Sequence, residues 1–169
     1  KAVFKHFPGH GRASGDTPLA EAVTPPLEEL ERHEFIPFKT ALPQAPNTAL
    51  MMGHLAVPGL GDGQTPASIL PEAYGLARET LQYDGPIYTD DIGGMKAIAD
   101  SLPLADAVVA SLNAGADMPL WSTEGDINAV IDAVVGAVND GRLPLERLED
   151  AARHVSAPPA GAAPEPAQD

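Results

Sequence analysis

Short apolar runs alternate along this chain with stretches of helical period, and that alternation restricts the fold more than any single residue does. Ala2 to Phe4, Thr48 to Met52, Gly85 to Thr89 and Met118 to Trp121 read as strands. Leu27 to Phe38, Pro71 to Leu81, Gly94 to Leu102, Leu104 to Ala114, Asp126 to Val138 and Leu145 to Val155 read as helices. The clearest of these is Asp126 to Val138, where Ile127, Val130, Ile131, Val134, Val135 and Val138 recur at helical spacing and Asn139-Asp140-Gly141 supplies the stop. Ser68 is placed to cap the second helix, and Pro103 separates the third from the fourth because its ring and missing N–H interrupt the ladder.

Repeated strand-then-helix units imply parallel strands joined by right-handed crossovers. About four such units amount to half of an eight-stranded barrel, so the expected fold is α/β, a partial (β/α)8 TIM barrel. Residues 1–156 form that piece. Ala157 to Asp169 is rich in Pro and Ala and cannot bury enough surface to offset its ordering entropy, so it is expected to be a disordered tail. Half a barrel leaves two open sheet edges, and we expect the isolated chain to need the rest of its protein. Lys1 opens the chain without an initiator Met and inside an apparent strand, which points to a missing upstream segment.

Composition removes several function classes. The chain has 169 residues, 24 acids against 10 bases and a net charge of −14, which repels a phosphate backbone, so no nucleic-acid partner is expected. The absence of cysteine excludes disulfides, thiolate zinc sites and cysteine nucleophiles. No apolar stretch approaches the roughly 20 residues needed to cross a bilayer. Nothing in the sequence asks for a cofactor: the Gly-rich loop lacks the Gly-Lys-Ser/Thr that holds a nucleotide phosphate.

Two places carry chemistry. Asp90 lies in Tyr88-Thr89-Asp90-Asp91, at the C-terminal tip of a short apolar run and before Gly93-Gly94. A barrel keeps its reacting groups at that end of its strands, although an ordinary acidic turn is an equal reading of these residues alone. The second place is the excursion after the first strand, Lys5-His6-Phe7-Pro8-Gly9-His10-Gly11 followed by Arg12-Ala13-Ser14-Gly15-Asp16-Thr17-Pro18. Long loops at strand C-termini are usually functional. His6 and His10 have the spacing of helical zinc ligands, but Pro8-Gly9 forbids the helix, so no metal is expected. Ser14, His10 and Asp16 imitate a triad by composition only. His54 ends a strand, where it either touches ligand or is a satisfied core histidine; Trp121 either stacks on a sugar ring or packs in the core. Met51 and Met52 are read as core.

These two stretches closely resemble the bacterial β-N-acetylglucosaminidases of glycoside hydrolase family 3, and among them the actinobacterial cell-envelope lipoprotein branch. Met51-Met52-Gly53-His54, Val57-Pro58-Gly59-Leu60 and Pro66-Ala67-Ser68 fit in order between them, and the likeness runs from Lys1 to about Val155. The resemblance implies that the chain is the C-terminal half of the catalytic barrel, its last four β/α units, with an N-terminal half missing. It implies that Asp90 is the retaining nucleophile, with Asp91 a structural carboxylate, and that Lys5 and His6 bind sugar hydroxyls. His54 is added as a substrate contact.

By the same resemblance Asp16 matches the carboxylate that orients a general acid/base histidine two residues on. Here that position is Pro18, which can neither give nor take a proton. Asp16 itself, His10, Glu21 and Glu28 are the conceivable substitutes. The implied activity is a retaining β-N-acetylhexosaminidase acting on N-acetylglucosamine-containing peptidoglycan fragments, weakened or lost through Pro18. The alternatives are a catalytically silent sugar-binding or envelope scaffold protein, and a phosphorylase on the same nucleophile. The resemblance carries a cell-envelope or secreted location, with the cytoplasm left open, and oligomeric state is not legible.

Overall fold

The structure, a computed structural model, describes residues 2–15, 22–45 and 47–156. Four parallel strands form the main sheet in the order β1 (Ala2–Phe7), β3 (Thr48–Met52), β5 (Ile87–Asp91), β6 (Met118–Leu120). Each strand lies beside the next one in the chain, with helices on the connections, which is the wrapping order of a (β/α)8 barrel. The chain is thus a partial TIM-type barrel. Two further strands, β2 (Ala22–Val23) and β4 (Leu55–Ala56), make a short parallel ladder that the apolar pattern did not disclose, because two residues are too few to show a period.

Burial follows position in the sheet. All five residues of the central strand β3 are buried, the near-continuous apolar run expected where helices and neighbours cover both faces. The outer strands are less covered: Val3 on β1 and Met118 and Leu120 on β6 are exposed. One core packs Phe7, Leu50 and Met52 of the sheet against Leu30, Phe35, Phe38 and Tyr74, with the Phe7 ring 5.2 Å from Phe35 and 5.3 Å from Phe38. A second core joins Ile92 and Ile98 to the helices α5 (Leu104–Ala114) and α6 (Ile127–Asn139) through Val108, Leu112 and Val130. Met51 and Met52 are core residues, as read from the sequence.

Several boundaries differ from the sequence reading, each for a local reason. The single helix expected over Leu27 to Phe38 is two, α1 (Leu27–Arg32) and α2 (Phe35–Ala41), because Pro37 has no N–H for the His33 carbonyl and its ring crowds that carbonyl. Pro37 is tolerated in the first turn of α2 instead. The next helix starts with α3 (Pro71–Gly75) and continues as a π-type turn over Leu76–Thr80. Ser68 does not cap it: α3 begins with Pro71 at its first position, after Leu70, and Ser68 sits in a 3-10 turn, Ala67–Ile69, with its hydroxyl turned inward. The helix expected from Gly94 to Leu102 shrinks to α4 (Lys96–Ala99), which starts late because Met95 is extended at φ −91° and ψ 126°. Strand β1 runs on to Phe7, and β5 is Ile87–Asp91, so Asp90 belongs to the strand end itself.

At the opposite end of the sheet from Asp90, a buried carboxylate just before β6 joins three other elements. Asp117, its side chain fully enclosed, accepts from Arg78 Nη2 at 2.7 Å, Arg147 Nη2 at 2.7 Å, the Ile87 N–H at 2.8 Å and His154 Nδ1 at 3.0 Å. Arg78 belongs to the π-type turn, Ile87 opens β5, and Arg147 and His154 belong to α7 (Leu145–Ser156). This pins the last helix under the sheet.

Candidate functional site

The first strand delivers its polar residues through a break in its pairing. Phe4 faces Leu50 and Phe7 faces Met52, so three steps on β1 match two on β3, and the surplus falls at Lys5-His6. A bulge of this kind bends a strand and re-aims its side chains. Lys5 is left exposed and His6 half-buried. His6 Nε2 lies 3.3 Å from Asp90 Oδ2. Two residues that the sequence placed in separate motifs therefore meet at the C-terminal rim of the sheet.

Asp90 is largely buried, and its other oxygen, Oδ1, accepts the Asp91 N–H at 3.0 Å. Burial pushes the His6 pKa below its ordinary value of 6.5; the Asp90 carboxylate opposes this, and positive charge on the nearby Lys5 and His10 reinforces it. The rings of His6 and His10 meet edge to face with centroids 5.9 Å apart. The arrangement presents a carboxylate, a neutral imidazole and an exposed lysine on one rim, a set able to attack an electrophilic carbon and to hydrogen-bond neutral hydroxyls.

Asp91 does a different job from Asp90. Its Oδ1 accepts the N–H groups of Gly93 at 3.0 Å, Gly94 at 2.9 Å and Ser122 at 3.2 Å, and its Oδ2 is bonded to the Ser122 hydroxyl. Burial alone would raise its pKa, but the Ser122 hydroxyl and these N–H groups outweigh it and hold the carboxyl below the usual range. Asp91 thus folds the turn beyond Asp90 onto the end of β6. The Gly pair admits the turn closely, since a Cβ on Gly94 would stand 2.7 Å from Asp91 Oδ2.

His54 follows β3 and is fully enclosed. Its Nδ1 is 2.7 Å from Ser68 Oγ, and its Nε2 has no hydrogen-bond partner among the described residues. Burial lowers its pKa below 6.5, against the Asp91 backbone and the carboxylates of Asp90 and Asp91, with His6 adding to the lowering. Gly53 before it sits in a tight approach: a Cβ there would lie 3.2 Å from His6 Cβ and 3.2 Å from Leu55 Cδ1, so those side chains would have to give by a few tenths of an ångström.

The excursion after β1 has fixed feet. Ser14 and Val23 exchange backbone hydrogen bonds of 2.8 and 3.0 Å, and Arg12 grips Glu34 at 2.7 and 3.0 Å and Glu29 at 3.1 Å. The Arg12 guanidinium holds the Glu34 carboxyl below the usual range. Asp16, Pro18 and Glu21 lie outside the described residues, on the chain between those feet. Ser14 Oγ donates to the Val23 carbonyl at 3.2 Å, a hairpin contact and no part of a triad with His10. Trp121 is half-buried against the second core. An open cleft of about 340 Å³ between Gln64-Pro66 and Lys96-Ser101 lies apart from Asp90 and His6. Among the described residues no group of three or more His, Asp or Glu side chains could hold a metal ion. Ser122 and Asp117 carried no local signal, and the signal at Ser68 was for a helix cap, since each acts through partners at least 14 residues away.

The glycosyl hydrolase family 3 N-terminal domain matches residues 1–157, and the chain belongs to that family. It is 43% identical over 152 residues to the beta-hexosaminidase LpqI of Mycobacterium tuberculosis, an alignment covering 87% of this chain and 39% of that protein. A beta-hexosaminidase of Xylella fastidiosa is 33% identical over 143 residues, 79% of this chain and 39% of its own length. The solved structure of M. tuberculosis LpqI superposes with a TM-score of 0.86 at 40% identity, covering 91% of this chain and 46% of that one. A family 3 β-N-acetylglucosaminidase from Paenibacillus superposes with a TM-score of 0.83 at 33% identity, over 90% of this chain and 29% of that one. The chain spans well under two thirds of these relatives' length.

Proposed function

We propose that the protein carrying this chain is a retaining β-N-acetylhexosaminidase acting on N-acetylglucosamine-containing peptidoglycan fragments, and that residues 1–156 are the C-terminal half of its catalytic barrel. The observation that carries the reading is the 3.3 Å approach of His6 Nε2 to Asp90 Oδ2 at the strand C-termini. Asp90 attacks the anomeric carbon, the bond to the leaving oxygen breaks, and water resolves the glycosyl-enzyme. Lys5 and His6 hold the sugar hydroxyls, and His54 supports the same rim from below. Asp16 remains from an acid/base pair whose histidine is replaced by Pro18. No cofactor enters. The exposed outer strands β1 and β6 are where an N-terminal half would pair to close the barrel and the sugar pocket. The relatives' activity and the family resemblance favour a cell-envelope or secreted location.

Pro18 favours a second reading, a catalytically silent protein that binds such sugars or serves as an envelope scaffold. The full-length protein and its Pro18→His variant, each assayed on an aryl N-acetylglucosaminide with a very good leaving group and on a natural disaccharide, separate the two. A working nucleophile with a lost proton donor turns over the activated substrate while the disaccharide lags, and Pro18→His raises disaccharide turnover about 10²–10⁴-fold. No turnover of either substrate and no fluorosugar adduct on Asp90, in the native protein and in the Pro18→His variant alike, leaves the binding reading standing.

A further inference from the structure

In the proposed function His54 supports the rim from below, and the enclosed pair it forms with Ser68 has an incomplete hydrogen-bond count among the described residues. Both residues are fully buried. Among the described residues the Ser68 hydroxyl has one partner, His54 Nδ1 at 2.7 Å, while the Ser68 carbonyl is taken by the Tyr74 hydroxyl at 2.8 Å. A buried hydroxyl hydrogen needs an acceptor, and the lone pair of Nδ1 is the one at bonding distance. Ser68 therefore donates to Nδ1, and the ring, neutral because it is buried, carries its single proton on Nε2. That Nε2–H is the buried polar group without a partner.

Its surroundings show where the donor is aimed. His54 leaves the end of β3, and β3 pairs with β5 through Met52 and Thr89, so the ring sits beside the segment Thr89-Asp90-Asp91. The Asp91 backbone and the carboxylates of Asp90 and Asp91 are the groups that favour its protonated form. Hydrogen bonds of this kind are often long before substrate binds and tighten afterwards. We propose that His54, set in one tautomer by Ser68, is a positioning residue that presents Nε2–H to the Asp90–Asp91 strand end and holds the nucleophile in line for attack. The inference rests on the glycosidase reading of Asp90.

The test uses the full-length protein and an aryl N-acetylglucosaminide, with a tautomer readout that does not depend on turnover. Long-range ¹H–¹⁵N spectra should show His54 protonated on Nε2 and shifted toward mixed tautomers in Ser68→Ala; an Nδ1–H ring in the native protein overturns the proposal. His54→Ala should lower kcat about 10–100-fold, the range found when a group that orients a reacting ligand is removed, with KM nearly unchanged. His54→Gln, whose amide N–H reaches the same place, should recover most of the loss. A kcat untouched by His54→Ala, or a loss that His54→Gln fails to repair while both variants melt as the native protein does, also overturns it. If Asp90→Asn retains native turnover, the glycosidase reading fails first, and the tautomer result still stands or falls by itself.

Discussion

Replacing Asp117 by Ala removes one carboxylate and strands four donors at once, two of them guanidinium groups, so its cost can be worked from the contacts. Breaking a buried ion pair by removing one partner typically costs about 3–5 kcal/mol, since the remaining charge loses its counter-charge without regaining water. The structure argues for the lower end. Arg78 keeps the carbonyls of Tyr83 and Gly85 at 2.9 and 2.7 Å, Arg147 keeps those of Leu112 and Ala116 at 3.2 and 3.0 Å, and their side chains retain 24% and 17% exposure. The Ile87 N–H and His154 have less recourse, being buried at the start of β5 and on the inner face of α7. We expect a loss of about 3 kcal/mol. The full-length protein is larger than the roughly 150–250-residue domains in which 1 kcal/mol moves the midpoint by roughly 2–4 °C, so the expected drop is about 3–6 °C. Differential scanning calorimetry of the full-length protein measures it, with Asp117→Asn as the control that keeps an acceptor and loses the charge. A drop within about 1 °C for Asp117→Ala, far below that scale, would refute the view that this carboxylate pins α7 and the π-type turn beneath the sheet.

Stability should also fall with acid in a window set by the two imidazoles at the rim. His6 and His54 have folded pKa values below 6.5, so the unfolded chain takes up protons first as pH drops; the loss begins near 6.5 and ends once pH is below the folded values. Thermal midpoints measured from about pH 7 to about pH 5 should decline, and His54→Gln should flatten the slope; a slope unchanged by that variant would remove His54 from the account. The isolated chain, with Val3, Met118, Leu120, Ile127, Ile131 and Val135 exposed on its outer strands and on α6, should self-associate in sedimentation experiments and be rescued by co-expression with the N-terminal half of its protein. A sharp, reversible, monomeric melt of the chain alone would count against this. On an activated aryl glycoside the native protein should show a burst followed by a slow steady state, and azide should speed the slow phase; a linear trace indifferent to azide would mean that the nucleophile is not turning over.

What could be read from the residues was what local period and local chemistry encode. The central strand Thr48–Met52 is buried throughout and announces itself as an unbroken apolar run, and Asp90 stands out because that kind of run ends on it. Asp91 was read as a structural carboxylate through the family resemblance alone; its bonds to the Gly93 and Gly94 N–H groups appear only in the structure. The break between α1 and α2 was legible in principle at Pro37 but was overridden by the apolar spacing of Leu30, Phe35 and Ile36. The rest depends on tertiary placement. Nothing near Ser68 says that its hydroxyl turns from a helix start to a histidine 14 residues earlier, and nothing near Asp117 announces partners at Arg78 and His154. The bulge at Lys5-His6 exists only in the register against β3.

The division of labour between strand ends and loop decides what the loss of a proton donor does. Asp90, Asp91, His6 and His54 are carried by or next to β1, β3 and β5, and their orientation is fixed by ladder pairing, the bulge and buried contacts. Pro18 lies outside the described residues, in the sequence between Ser14 and Val23, whose backbones are bonded to each other. On the proposed reading, a change at that position removes the acid/base and leaves the carboxylate as it was. The acid/base serves twice, protonating the leaving oxygen and then taking a proton from water. On the proposed reading, a leaving group that departs unprotonated relieves only the first requirement, so the covalent sugar would form on Asp90 and wait for a water that Pro18 cannot deprotonate. Azide attacks without losing a proton and relieves the second. On that reading the protein would be half of a glycosidase in the kinetic sense, fast to be glycosylated by activated substrates and slow to be freed.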